Sequence, residues 1–494
     1  MSRRFRWHAG PAALLLLAVS GCDDLSNLRL SQPSVAPATQ PTASLKVDAS
    51  QIPPMYRRLL AVDLPTVARV AMAHNLDIQE AQQRVEASRG AYESSVGAIF
   101  PSITPNITAR GLEGALGNPN GGVGLATFRN FTPAAVINWI INPGQVAYEF
   151  VASKRRLEAS AQQEQAMVLE TGRSAAVQYY DLVLAQAQVA VARQALDEAE
   201  ELLRIERLRL KTGTGLPADE LRAAAALAGT QQDLLTALNG FYDTSVTLTV
   251  TLHLDASVML VPQAGTMTQT SLVREDLPID DMLVAAVRYR PDLEAVRTLW
   301  AAAQADEGAA MWGGLGPQIR VAQTFALAPP PPTRAAVDTL YRQPKYLVTG
   351  GFEWSAATFG RIKSAIANVQ LAGLDLDQRL DQVRAAVISA HQASLIAAKL
   401  IPIASQQVTS AEEALRLTQE DLKAGTGLTI DVLQAERAAD RARLRYATAL
   451  VRYNQSQINL LAAMGLIDET DVEGRLTGAP ALGAPTEPSE SAPK

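Results

Sequence analysis

The chain has 494 residues, a formal charge of −6, 5% aromatic side chains and one cysteine. Mild acidity without a basic stripe excludes nucleic acid as a partner, and the alanine-rich, aromatic-poor composition suits long, closely packed helices better than a bulky globular core.

In chain order, Arg3, Arg4 and Arg6 precede an apolar run from Pro11 to Val19, and Val19-Ser20-Gly21-Cys22 closes it with small residues. Residues 1–21 therefore read as a signal segment that is removed. The pattern resembles a bacterial lipoprotein signal, in which Cys22 becomes the acylated first residue. A lone cysteine has no internal disulfide partner, which fits a role for its thiol in lipidation. Asp23 and Asp24 follow, a pairing that in enteric bacteria resembles an inner-membrane retention signal. Residues 22–61 are rich in Ser, Pro, Thr and Gln and read as a tether.

Residues 62–260 form the first of two repeats. Leu210-Lys211-Thr212-Gly213-Thr214-Gly215-Leu216 returns as Leu422-Lys423-Ala424-Gly425-Thr426-Gly427-Leu428, and Asn75-Leu76-Asp77-Ile78 pairs with Arg290-Pro291-Asp292-Leu293 at nearly the same offset. Pro101 pairs with Pro317, Trp139 with Trp354, Gly144 with Gly360 and Asp219 with Asp431. A period of about 200 residues is too long for a solenoid and marks an internally duplicated domain. The second repeat covers 277–467, an irregular linker at 261–276 separates the two, and the Ala/Pro/Gly-rich 468–494 read as a disordered tail.

Each repeat opens with a short helix, predicted from Pro65 to about Ile99 and from Pro278 to about Met311. Strand pairs follow, at about 101–142 and about 317–356. Polar Ser102, Thr104, Asn106 and Thr108 alternate there with Ile103, Pro105, Ile107 and Ala109, and Gln318 and Arg320 alternate with Ile319 and Val321. Alternating segments of about ten residues suit tilted membrane strands.

Long helices come next, at 144–211 and 360–423. Val168, Ala175, Leu182, Val189, Leu196, Leu203 and Leu210 recur every seventh residue, as do Leu380, Val387, Ser394, Ile401, Val408, Leu415 and Leu422. That repeat keeps one seam facing a partner only in a left-handed supercoil, and each run makes roughly 100 Å of helix. Pro402 predicts a local bend in the second. Each repeat closes with a helix, at 217–254 and 428–464. Two short helices end to end match one long helix.

Four strands cannot close a barrel, and open strand edges do not persist in lipid. If the strands span a membrane, several chains share one barrel.

The order of these elements resembles the TolC-type outer-membrane efflux family. The stretches that carry the resemblance are Asn75 to Pro105, Trp354 to Arg361, Gly425 to Leu433 and Leu461-Ala462-Ala463-Met464-Gly465. It implies a mainly α fold with membrane strands: a homotrimer whose twelve-stranded β-barrel sits in outer-membrane lipid and continues into a long α-helical coiled-coil barrel in the periplasm. It further implies a passive duct serving tripartite efflux or type I secretion, with a periplasmic adaptor and an inner-membrane pump as partners. The turns Gly213-Thr214-Gly215 and Gly425-Thr426-Gly427 would be docking points for the adaptor. Asp431 matches a family position whose carboxylates ring a periplasmic gate, Asp219 and Glu220 hold the equivalent place in the first repeat, and Gln434 stands where the family often has a second aspartate. An acid near a helix N-terminus is also a favourable partner of the helix dipole.

Two other readings fit part of the pattern. A periplasmic adaptor carries one helical hairpin between small β domains, and a structural coiled-coil lipoprotein needs no alternating strands. No enzyme or cofactor is expected. His8, His74, His253 and His391 are scattered without metal-ligand spacing, and the Gly-x-Gly at 213 follows a helix, unlike a nucleotide loop.

Overall fold

The computed structural model describes residues 58–117, 123–255, 257–263, 267–274, 276–326, 346–352 and 355–466. All of these fall within one compact unit, Val47–Lys494. The signal segment, Cys22 and the 468–494 tail lie outside the described residues.

Helices dominate. The elements are β1 (Arg58–Val62), α1 (Leu64–His74), α2 (Leu76–Gly97), β2 (Ser102–Gly117), β3 (Val123–Ile141), α3 (Pro143–Lys211), α4 (Pro217–Thr251), β4 (Val258–Pro262), α5 (Ile279–Tyr289), α6 (Pro291–Leu315), β5 (Gln318–Ala326), β6 (Tyr346–Gly351), α7 (Ala356–Ala424) and α8 (Thr429–Ala463). The two long helices, α3 and α7, have 69 residues each. Their heptad seams face neighbours. Ala175, Leu182, Val189 and Leu203 are buried on α3, as are Val387, Ser394, Ile401, Leu415 and Leu422 on α7. Each fully buried leucine of this kind contributes roughly 2 kcal/mol. The second long helix is unbroken through Pro402.

Toward the Gly-Thr-Gly end the helices lie in the order α4, α3, α8, α7, and toward the strand end in the order α2, α3, α6, α7. The short helices meet end to end along the long ones. Asn75, just before α2, donates its side-chain amide to the Thr251 carbonyl at the end of α4. Arg290, just before α6, donates to the Ala463 carbonyl at the end of α8.

Each opening helix, expected as one piece, is two. Asn75 sits in extended backbone (φ −67°, ψ 135°), ends α1 and caps α2 by accepting from the Asp77 amide. Arg290 (φ −79°, ψ 113°) likewise ends α5 in extended backbone, without a side-chain cap, before Pro291, whose ring disfavours helical backbone in the residue preceding it. The breaks free α1 to pack on α3 and α5 to pack on α7. Asp292 is held below the usual carboxylate range: burial works against its charge, but the Arg290 and Arg379 guanidiniums beside it more than offset burial.

Two features differ from the expected tether and linker. Residues 58–62 form β1, which pairs in parallel with β4. All five residues of β4 are buried, and Ser245 of α4 both accepts from the Leu260 amide and donates to its carbonyl. The linker is also tied down. Asn454 bonds both Thr268 and Thr270, and Gln457 accepts from the amides of Leu272 and Val273 while donating to Ser394.

The strands of both repeats join in one antiparallel sheet ordered β2-β3-β5-β6. The two hairpins meet along β3 and β5, from Ala134 opposite Ala326 to Ile141 opposite Ile319. Below the sheet the helices approach closely through glycines. A Cβ on Gly144 would lie 2.0 Å from the Trp312 ring, and one on Gly314 would lie 2.1 Å from the Thr358 methyl. A Cβ on Gly360, the counterpart of Gly144, would meet nothing within 4 Å among the described residues.

Gly144→Ala should therefore overpack the α3–α6 contact and cost about 1–3 kcal/mol, whereas Gly360→Ala, in an open helical position, should be neutral or stabilise by about 0.5–1 kcal/mol. Thermal melts of the two variants should move in opposite directions or diverge clearly; equal melts would contradict the packing.

Candidate functional site

The two Gly-Thr-Gly turns share one geometry. At the end of α3 the Thr212 amide donates to Leu208, Gly213 takes φ 74°, and the amides of Thr214 and Gly215 both donate to the Arg209 carbonyl at 2.9 Å. At the end of α7, Gly425 takes φ 81°, and the amides of Thr426 and Gly427 donate to the Asp421 carbonyl at 3.0 and 2.9 Å. The first glycine of each turn supplies the left-handed conformation that ends a helix. The second is needed for space: a Cβ there would sit 2.9 Å from the Leu210 nitrogen in one turn and 2.8 Å from the Leu422 nitrogen in the other. Leu216 and Leu428 complete the turns in matching extended backbone, and each is 63% exposed.

The acids beyond the turns differ in their partners. Asp219 and Asp431 occupy the same helical position, their amides donating to Leu216 and Leu428. Arg222 pairs with Asp219 at 2.7 Å, leaving the aspartate side chain only 17% exposed. Arg207 pairs with Glu220 at 3.3 Å. In the second repeat Gln434 stands where the first has Arg222. Asp431 is exposed and, among the described residues, makes no ion pair.

Behind the turns lies a polar layer that the heptad pattern did not reveal. Glu206, with no exposed side-chain area, accepts from Arg209 at 2.9 Å and from the Thr429 hydroxyl at 2.9 Å. It thus ties α3 to the first turn of α8. Three residues past Leu203 on the seam, it is a charge at a core position, which is the signal that could have marked it.

Farther from the turns, Arg443 of α8 contacts Glu198 of α3 at 3.1 Å, Glu412 of α7 at 3.0 Å and Asp440 at 3.2 Å. Glu436 lies beside them, 7% exposed, with one carboxyl oxygen that has no hydrogen-bond partner among the described residues. Burial pushes the Glu436 carboxyl up to about 7, helped by the charges of Glu198 and Asp440. Burial and Glu198 likewise push Asp440 up to about 6, against the pull of Arg443. Among the described residues, no group of three or more His, Cys, Asp or Glu side chains is placed to hold a metal ion.

A family model described as outer membrane efflux protein matches residues 67–252 and 333–466, well over half of the chain. No curated protein sequence matches the chain. Solved structures share its fold. The outer-membrane channel OprN is 20% identical with a TM-score of 0.68, the match covering 86% of this chain and 97% of that one. CusC, described as forming a transmembrane channel, is 18% identical with a TM-score of 0.68, covering 86% and 99%. The outer membrane channel CmeC of Campylobacter jejuni is 16% identical with a TM-score of 0.69, covering 87% and 95%.

At the turns, Gly425→Ala should cost roughly 1–2 kcal/mol locally, because a side chain is strained in left-handed backbone. Amide exchange at Thr426 and Gly427 should then rise by about tenfold, one decade per 1.4 kcal/mol; unchanged exchange would show that the turn tolerates a Cβ.

Proposed function

Because this chain belongs to the outer membrane efflux protein family and is an outer-membrane channel component of an efflux system, we propose that it works as a homotrimer whose shared barrel is a passive duct. The observation that carries this reading is the pair of unpartnered flanks. On one side lie β6 and α7; on the other lie β2, α2 and α4.

Each flank leaves apolar side chains in water when the chain stands alone. Leu371, Leu374, Ile396 and Ile403 are exposed along α7, and Leu76, Leu221, Leu235 and Val250 are exposed on α2 and α4. Among the described residues, α7 is the one helix long and apolar enough to cross a membrane by composition. Only 22% of that apolar stretch is buried, so it needs cover from another chain. The flanks differ from one another, so contact between copies is head-to-tail, and a sheet that can leave no open edge in lipid requires that contact to close into a ring. Rotation of the same unit would pair β6 of one copy with β2 of the next and satisfy every strand edge, as lipid requires. Three copies give twelve strands, in the size range of outer-membrane barrels.

The rest of the reading follows from this assembly. The helices project from the sheet toward the periplasm, and the paired turns at their ends are the docking points for a periplasmic adaptor that links the duct to an inner-membrane pump. Backbone at Gly213-Thr214-Gly215 and Gly425-Thr426-Gly427 and the exposed Leu216 and Leu428 offer that partner a small apolar step. Cys22 carries lipid in outer-membrane leaflet. Asp431 lines a gate near the tips, with Asp219 and Glu220 contributing less because arginines already neutralise them. The two rival readings, an adaptor or a structural coiled-coil lipoprotein, leave unexplained why strands from both repeats join in a single sheet.

Purified chain in detergent should cross-link as a trimer and form pores in planar bilayers that prefer cations. Asp431→Ala should lower that preference, and adding Asp219→Ala should add little; stable monomers without pores would overturn the assembly, and unchanged selectivity would reduce Asp431 to a helix-end residue. Mass spectrometry of the mature N-terminus should show an acylated Cys22, and an unmodified Cys22 would remove the lipid from the model of anchoring.

A further inference from the structure

Between the turns and the middle of the long helices, three carboxylates contact one guanidinium and a fourth lies beside them. Glu198 from α3, Glu412 from α7 and Asp440 from α8 pair with Arg443, and Glu436 from α8 feels the charges of Glu198 and Asp440. The other charged groups facing the cluster are Asp233 from α4, Arg437 from α8, Asp197 and Glu201 from α3, and Lys423 from α7. Glu201 is engaged by Arg204. With every group ionised, the four carboxylates exceed Arg443 by three negative charges; Asp233 adds to the excess and Arg437 offsets part of it.

Two observations separate this cluster from an ordinary surface network. Glu436 is more than nine-tenths buried, and one of its oxygens has no hydrogen-bond partner among the described residues. It also lines a cleft of about 260 Å³ shared with Glu198, Leu202, Ile205, Leu422 and Val432. A cleft that size holds several waters, so protons can reach a carboxyl that the packing otherwise seals. One oxygen of the group lacks a hydrogen-bond partner among the described residues, only the Arg437 charge favours its ionised form, and it has access to the proton that would neutralise it.

We propose that this junction is a proton-operated latch, which fixes the turn-proximal part of α8 to α3 when Glu436 and Asp440 are protonated and releases it when they ionise. Protonation removes two of the carboxylate charges, while Glu198 and Glu412 still hold Arg443. The sign follows from the linkage between packing and proton binding. The Glu436 carboxyl titrates at about 7, above its ordinary 4.5, and Asp440 at about 6, above 3.8. Both bind protons more tightly when packed than when exposed, so packing is strongest at low pH and weakens as pH rises through about 6 and about 7. Asp440 lies about 14 Å along the helix from Asp431. A change in the latch therefore reaches the segment that bears the gate acid, and its effect on conduction rests on the duct reading above.

Hydrogen exchange of the full-length chain in detergent tests the latch at about pH 5.5 and about pH 8, after correction for the chemical pH dependence of exchange. Peptides covering 198–211 and 429–443 should be protected about tenfold more at the lower pH, the ratio expected when one carboxyl shifted by at least one pH unit is neutralised. Glu436→Gln, similar in shape and permanently neutral, should keep most of the protection at both pH values, and Glu436→Gln/Asp440→Asn should keep all of it. A wild-type chain with equal protection at both pH values would overturn the proposal, as would variants that retain the wild-type pH profile. The readout is amide protection, so its failure would leave the channel reading standing, and failure of the pore experiments would leave the latch standing.

Discussion

A helix of 69 residues holds its shape in water only where a neighbour covers its apolar seam along the whole length, because helical propensity alone stabilises isolated helices marginally. This chain meets that demand twice with pairs of shorter helices laid end to end. The junction between the members of each pair is consequently the place where most constraints converge. There Asn75 reaches Thr251, Arg290 reaches Ala463, and Asn454 and Gln457 pin the linker. The small β1–β4 sheet sits at the same level, closed by Ser245. Without such fasteners four helix ends would meet with unsatisfied amides and carbonyls.

Much of this was legible in the sequence, wherever the signal is local or periodic. The seven-residue spacing identified which faces of α3 and α7 are buried, and the glycine pairs marked both turns. The breaks at Asn75 and Arg290 were less visible, because the residues on either side favour helix and only cap and proline chemistry ends them. The pairing of Arg58–Val62 with Val258–Pro262 was out of reach, since parallel partners about two hundred residues apart leave no local trace beyond two short apolar runs. Glu206 and Arg443 were missed for another reason. Charges at seam positions look like lapses in a pattern until their partners on other helices are known.

The repeats have kept their backbone and exchanged their side chains. Glu206 faces Thr429 across the helices, whereas the corresponding positions are Thr418 and Pro217. Arg222 neutralises Asp219, whereas Gln434 stands near Asp431, which has no ion pair among the described residues. Gly144 is filled against Trp312 while Gly360 is open. The first repeat thus pairs its helix-end acid and packs its glycine, whereas in the second the acid has no ion pair among the described residues and the glycine is open.

The near identity of the two turns has a consequence for counting. In a ring of three chains the tips would present six reversals of the same backbone form, alternating between two side-chain settings. A partner that reads only main-chain amides and the leucine after each turn would meet six equal sites. One that also reads the charges behind them, Arg222 in one repeat and Gln434 in the other, would meet two sets of three. The number of partners per ring is thus written in how deep along the helices recognition extends.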